Sequence, residues 1–166
     1  MSDAVNDRLL ATLLDSWDRN NMILINLLRA LPDGALDARP TATSPSIGAL
    51  FAHIHSVRLI FVAEDAPESA TPVPDVEWRN ERDPERIAQW LAESAHTVRE
   101  AVARRLQAGR AMEVHYDHPI LLLQHMIWHE GYHHGQIKLA LKLIGHALAN
   151  DDIGPLTWHV WMKKKI

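Results

Sequence analysis

Apolar residues recur three or four positions apart along most of the chain, the period of a helix with one face turned inward, and no stretch alternates as a half-buried strand does. The first such segment runs from about residue 4 to residue 31 and puts Val5, Leu9, Leu13, Trp17, Leu24, Leu28 and Leu31 on its inward stripe. Pro32-Asp33-Gly34 ends it. Past a linker containing Arg39-Pro40, the run Thr43-Ser44-Pro45-Ser46 supplies a hydroxyl cap and an early-turn proline for a second helix over about residues 45 to 65. Its predicted inward stripe is Ile47, Leu50, Ile54, Val57 and Phe61. Ala66 to Arg82 holds Pro67, Pro72 and Pro74 among polar residues, and reads as an irregular connection lying across one end of the domain.

Asp83-Pro84 opens a third helix with Ile87, Trp90, Leu91, Val98 and Val102 on one side and Gly109 as its stop. Asp117-His118-Pro119 opens a fourth that runs to about His146 and ends around Gly145, and Asn150 to Pro155 reads as loop. Four long helices joined by breaker-rich loops predict an all-α, antiparallel four-helix bundle with a short C-terminal extension. At 166 residues, 47% of them hydrophobic, the chain suits one domain over residues 1–166. The Lys163-Lys164-Lys165 tail is expected to be a solvated end.

The formal charge of −4 offers no global attraction for nucleic acid or anionic lipid. The pattern shows no apolar run of the length a bilayer needs and no signal peptide at Met1-Ser2-Asp3-Ala4-Val5-Asn6-Asp7, so a soluble, cytoplasmic protein without nucleic-acid or membrane partners is expected. With no Cys, a disulfide, a thiolate nucleophile and a thiolate-ligated zinc are all excluded. A metal site must then use His and carboxylates, and 11 His are present.

On the fourth helix His125, His129 and His133 stand i, i+4, i+8 and form a ladder, each rung offset by about 40° from the last. Rungs four apart lie close enough for two imidazoles to share one ion, but the outer pair is about 12 Å apart along the axis. A third ligand must come from another helix. Leu122, Met126, Ile137 and Ala140 lie on or beside the ladder face, which turns it inward. On the second helix His53 sits at the shoulder of the apolar stripe and His55 well outside it, so His53 is the better inward ligand. His125 is held in reserve, as a member of its own pair with His129 or as a supporting group. No such constellation surrounds His55, His96, His115, His118, His146 or His159, for which ordinary structural roles are expected.

His129-Glu130-Gly131-Tyr132-His133 also spells the zinc-protease helix pattern, in which the Glu activates water. Downstream there is no further Glu, position 139 of the extended pattern is Leu139, and no second subdomain is visible to hold a peptide. A zinc hydrolase is therefore the weakest of the enzymatic readings.

The segment from Leu121 to Lys138, with His125, His129, His133 and then Gly135-Gln136, resembles the DinB-like family, as does the second-helix run Ser46-Ile47-Gly48-Ala49-Leu50-Phe51-Ala52-His53-Ile54. The resemblance covers nearly the whole chain and implies a four-helix bundle with a three-histidine divalent-metal site. Carried over residue by residue, it places the ligands at His53, His129 and His133. The chain departs from the family at Tyr132, where many members have another His, and at His134, where many have Arg. His134 lies nearly opposite the ladder beside Leu123, Ile127 and Leu141, a face expected to meet another helix or a second subunit of a homodimer.

The resemblance further implies metal-dependent transferases that use low-molecular-weight thiols such as bacillithiol, mycothiol or glutathione, or related isomerases. Three neutral imidazoles leave a divalent ion uncompensated and open, with zinc preferred and nickel, iron or manganese also compatible. A small thiol and an electrophilic small molecule are the expected partners, Glu130 and Tyr132 the candidate proton carriers, and Trp128, Tyr132 and Gln136 the walls that admit the electrophile. A non-catalytic stress or metal-binding bundle, with the ion tying the second helix to the fourth, fits the same ligand spacing.

Overall fold

The computed structural model describes residues 2–162, with side chains from residue 6 onward. Four long helices form it: α1 (Ser2–Arg29), α2 (Ile47–Asp65), α3 (Pro84–Gln107) and α4 (Pro119–Leu143). Two short ones follow, α5 (Asn150–Ile153) and α6 (His159–Met162), so the stretch read as loop after residue 150 contains a helical turn. Val5's side chain and the Lys163-Lys164-Lys165 tail lie outside the described residues.

Local chemistry sets the boundaries. Ser46 caps α2 by accepting from the Ala49 amide at 3.1 Å, which leaves Pro45 just outside the helix instead of in its first turn. Asp83 caps α3 through the amides of Glu85 and Arg86, and His118 caps α4 through that of Ile120. Gly109 and Gly145 follow α3 and α4 at φ of 62° and 83°, the left-handed conformation that ends a helix at least cost in glycine.

Cross-helix contacts fix the directions. His55 meets Trp90, Arg58 meets Leu91 and Ser94, and Arg105 meets Glu68, so α2 and α3 advance the same way. The end of α1 (Ile25, Arg29) borders one groove with the start of α3 (Glu85, Ala88) and an earlier stretch (Leu10, Leu13) borders another with the end of α3 (Leu106, Gln107), while His53 meets His133 and Phe61 meets His125 from α2 to α4. The outer pair α1 and α4 therefore opposes the inner pair. The connection after α2 produces this order. It is irregular as expected, apart from a turn at Pro67–Ser69, but instead of crossing one end it runs back along α2 to the start of α3.

That return path corrects the expectation for α2. Residues 47–59 are buried on every side, because the connection covers the face that the helices leave open. Gly48 makes the close approach possible: a Cβ there would stand 2.1 Å from the Glu81 carbonyl oxygen and 3.3 Å from that of Leu36. By length and composition α2 is apolar enough to cross a membrane, with 78% of its most apolar window buried inside the bundle.

The first helix also needed correction. Trp17, Leu24 and Leu28 are buried, but Leu9 is 56% exposed and the inward line runs instead through Leu10, Leu14, Trp17, Leu24, Leu27 and Leu28. A strict four-residue spacing drifts about 40° per step and leaves the buried face within a few turns. The face that carries His134 meets helices of this same chain, since Leu123 and Leu141 belong to the core.

Candidate metal centre

Two apolar clusters make up the core, and a polar layer lies between them. Arg58 and Glu130, 0% and 1% exposed, form a two-pronged ion pair at 2.6 and 2.9 Å. Arg58 also donates to Asn21 and the Leu91 carbonyl and lies 4.8 Å from the centre of the Trp17 ring, while Asn20 donates to Glu130 at 2.5 Å. All four long helices meet at this guanidinium–carboxylate pair. Glu130, expected as a proton carrier, thus has both oxygens engaged in the core, and the water-activating role of the protease pattern finds no free carboxylate here.

One residue earlier on α4, the geometry is of another kind. His129 Nε2 lies 3.2 Å from His53 Nε2 and 3.0 Å from His133 Nε2, and the three ligand atoms fall within 4.8 Å of one another. Three nitrogens bound tetrahedrally to one zinc ion at about 2.0–2.1 Å stand about 3.4 Å apart. Two of the three edges, at 3.2 and 3.0 Å, are already close to that. Among the described residues no other group of three or more His, Asp or Glu side chains comes together in this way.

The outer hydrogen bonds set the proton positions. His53 Nδ1 donates to Glu77 Oε1 at 2.6 Å, and His133 Nδ1 donates to Gln136 Oε1 at 2.7 Å. Each bond leaves the Nε2 of a neutral ring as a bare lone pair, the arrangement of a metal-binding histidine held by a carboxylate or carbonyl behind it. His129 Nε2 has at most one proton to place between two acceptors. One pair of lone pairs about 3 Å apart then stays unbridged, and a shared cation resolves it. His129 Nδ1 is itself buried, with no hydrogen-bond partner among the described residues.

Electrostatics favours the ligand-competent form. Burial, reinforced by the charges His133, His53 and His125 would carry, pulls His129 down to about 4. Burial also lowers His53, against the pull of Glu77, and lowers His133, against that of Gln136. All three are neutral at physiological pH. Glu77 adds a negative charge just behind the ligands and offsets part of a divalent ion's charge.

The expected ligand trio of His53, His129 and His133 is thus brought together, and His125 is not part of it. Its ring lies 6.4 Å from that of His129, and its Nδ1 accepts from the Tyr116 hydroxyl at 2.6 Å. Burial, with the charges of Asp65 and Glu64, pushes that phenol up to about 12 and keeps it a donor. His55 Nδ1 donates to the Trp90 carbonyl, as a structural histidine does. Trp78 stacks on His53 at 3.8 Å and Tyr132 packs edge-on against His133 at 5.2 Å, and both are exposed; the expected wall residue Trp128 is also exposed and makes no ring contact with the three histidines among the described residues. Glu77 and Trp78 were missed because they sit in the breaker-rich connection, where no periodicity says which way a side chain faces. Gln136, three residues after His133, was legible from helical spacing.

An all-helical bundle whose second and fourth helices bring three imidazoles to one point defines a class, that of four-helix proteins with a candidate divalent-metal centre. The chain belongs to the DinB family, whose sequence model matches residues 1–162. No curated protein and no solved structure matches it.

Proposed function

We propose that this DinB-family protein is a metal-dependent transferase that activates a low-molecular-weight thiol for attack on an electrophilic small molecule. The observation that carries the reading is the donor set: three Nε2 atoms converge, two of them aimed from behind by Glu77 and Gln136, and the described residues add no fourth ligand to the group. A structural zinc site is ordinarily closed by four protein ligands, whereas three ligands leave a position for substrate. A bound divalent ion, zinc by preference, would stabilise the thiolate form of a thiol at neutral pH and so supply the nucleophile that this Cys-free chain lacks. The thiol proton leaves to solvent on binding. The sulfur lone pair then forms the new bond to carbon as the leaving group departs with its bonding pair. Trp78 and Tyr132, packed on His53 and His133, offer flat apolar surface to an electrophile, and the exposed Tyr132 phenol is the candidate to return a proton to the leaving group.

The test begins with metal analysis of protein purified without a nickel column, followed by cobalt substitution. Addition of small thiols is expected to change the cobalt spectrum of the wild-type protein and leave His133→Ala unchanged. A spectrum indifferent to every thiol and indicating four protein ligands would replace this reading with the non-catalytic one, in which the ion only ties α2 to α4.

A further inference from the structure

The outward face of α4 carries almost none of the charge that keeps a helix in water. From Pro119 to Ile137 the sole Asp, Glu, Lys or Arg is Glu130, and it is buried. In place of charge, Leu121, Trp128, Tyr132, Leu139 and Leu143 form an exposed apolar stripe along one side of the helix, with Trp128 71% and Leu143 59% exposed. At a rise of 1.5 Å per residue and a width of about 10 Å, the stripe runs about 33 Å and covers about 330 Å². Continuous apolar patches of that size mark contact surfaces.

Gly131 and Gly135 border the stripe. Glycine inside a helix costs stability, yet a Cβ at either position would meet nothing within 4 Å, so the packing of this chain does not require them. They leave two hollows where another helix can come close. The face of His134, expected to meet a second subunit, is filled by helices of the same chain, which leaves the stripe as the surface for a second copy.

We infer that the stripe is the interface of a homodimer in which two α4 helices pack antiparallel about a two-fold axis. An axis passing between residues 131 and 132 sets Trp128 of each copy opposite Gly135 of the other, and Tyr132 opposite Gly131. Each bulky ring then meets a hollow, as a self-complementary interface requires. The same register brings the exposed Lys142 to within about one helical turn of the partner's exposed Asp117, so opposite charges meet at both ends. A parallel pair would set Lys142 against Lys142 and ring against ring. Because the formal charge of the chain is −4, two copies approach most easily through an uncharged face. Tyr132 packs on His133, so each metal centre opens beside the interface, although the inference does not rest on the thiol chemistry proposed above.

Sedimentation velocity of the full chain between about 1 and 500 µM tests it, with a dimer dissociation constant of about 10 µM expected for an interface of this modest size. Gly135→Leu has open space within its own chain but fills the hollow, and should weaken the dimer at least about tenfold with an unchanged circular dichroism spectrum. Trp128→Lys should do the same. Orientation is read by cross-linking, since the chain has no Cys of its own. A short bismaleimide should join two copies of Gly131→Cys but not of Leu143→Cys, whose thiols lie about 35 Å apart in the antiparallel pair. A chain that stays monomeric at the highest concentration overturns the inference. So does a dimer that both Gly135→Leu and Trp128→Lys leave intact, or one in which Leu143→Cys cross-links to itself.

Discussion

His129 and Glu130 are neighbours on α4 and belong to two buried polar clusters that have been completed in opposite ways. Around Glu130 every strong donor and acceptor is matched: the carboxylate takes Arg58 and Asn20, and Arg58 takes Asn21 and the Leu91 carbonyl as well. Around His129 the accounting fails, with its Nε2 within bonding distance of two others, too few protons between them, and a buried Nδ1 that has no partner among the described residues. Burial and polarity are common to both clusters, so neither marks a functional centre. The shortfall does. A satisfied network rigidifies the fold, whereas an unsatisfied one leaves bonds that a group from outside can complete.

The comparison is broken most severely at Arg58. Arg58→Ala leaves the Glu130 carboxylate buried without its counter-ion and is expected to cost about 3–5 kcal/mol in urea unfolding. Replacing both partners, as Arg58→Met with Glu130→Leu, should recover most of that loss, because an apolar pair of similar volume removes the unpaired charge. A loss in the single variant below about 1 kcal/mol would show that the pair does not hold the four helices together.

At the other cluster the expected effect lies in the response to metal. Zinc at a hundredfold excess over its dissociation constant should stabilise the wild-type protein by about 2.7 kcal/mol. His129→Ala should abolish that increment, seen as a melting temperature that no longer rises with added zinc, together with loss of bound metal on analysis. Metal content equal to wild type in this variant would mean that the convergence of the three rings is incidental.

What the sequence disclosed divides along the same line. Helix existence and the inward ladder at His129 and His133 were legible because both follow from the 3.6-residue period, and His53 followed from its place beside an apolar stripe. The course of residues 66–82 was not legible, since a chain without periodicity carries no record of which surface it lies on; the burial of α2, Glu77 behind His53 and Trp78 above it all depended on that course. Arg58 left a signal that went unread. It is the one Lys or Arg between Ile47 and Val62, a mostly apolar segment with no Asp or Glu, and a charge in such a position requires a buried counter-charge.

Glu77→Gln sharpens the contrast, because it alters the open cluster from behind without touching a ligand. The amide can still accept from His53 Nδ1 but no longer contributes negative charge. Affinity for zinc is expected to fall by about 10- to 100-fold with little change in the stability of the metal-free protein, read by competition with a chromogenic chelator. An unchanged affinity would reduce Glu77 to a surface residue that happens to meet the ring.

The smallest expected effect concerns a second buried arginine, whose carboxylate partner is half in water. Arg105 is 1% exposed and donates to both oxygens of Glu68 at 2.7 Å, but Glu68 itself lies partly open. The hydrogen bond from Arg105 holds the Glu68 carboxyl below its ordinary value, against a modest opposing effect of burial. The folded state therefore binds its proton less readily than the unfolded state. Stability from this pair is present above the unfolded glutamate value of about 4.3 and declines as pH falls toward the folded one. Because solvent screens the exposed partner, Glu68→Gln should cost only about 0.2–1 kcal/mol at neutral pH, far less than Arg58→Ala, and the gap between variant and wild type should close as the medium is acidified. A gap that stayed constant down to acid pH would mean that Glu68 acts through packing and not through its charge, leaving Arg105 to be balanced by Glu113 and the Ala111 carbonyl that it also contacts.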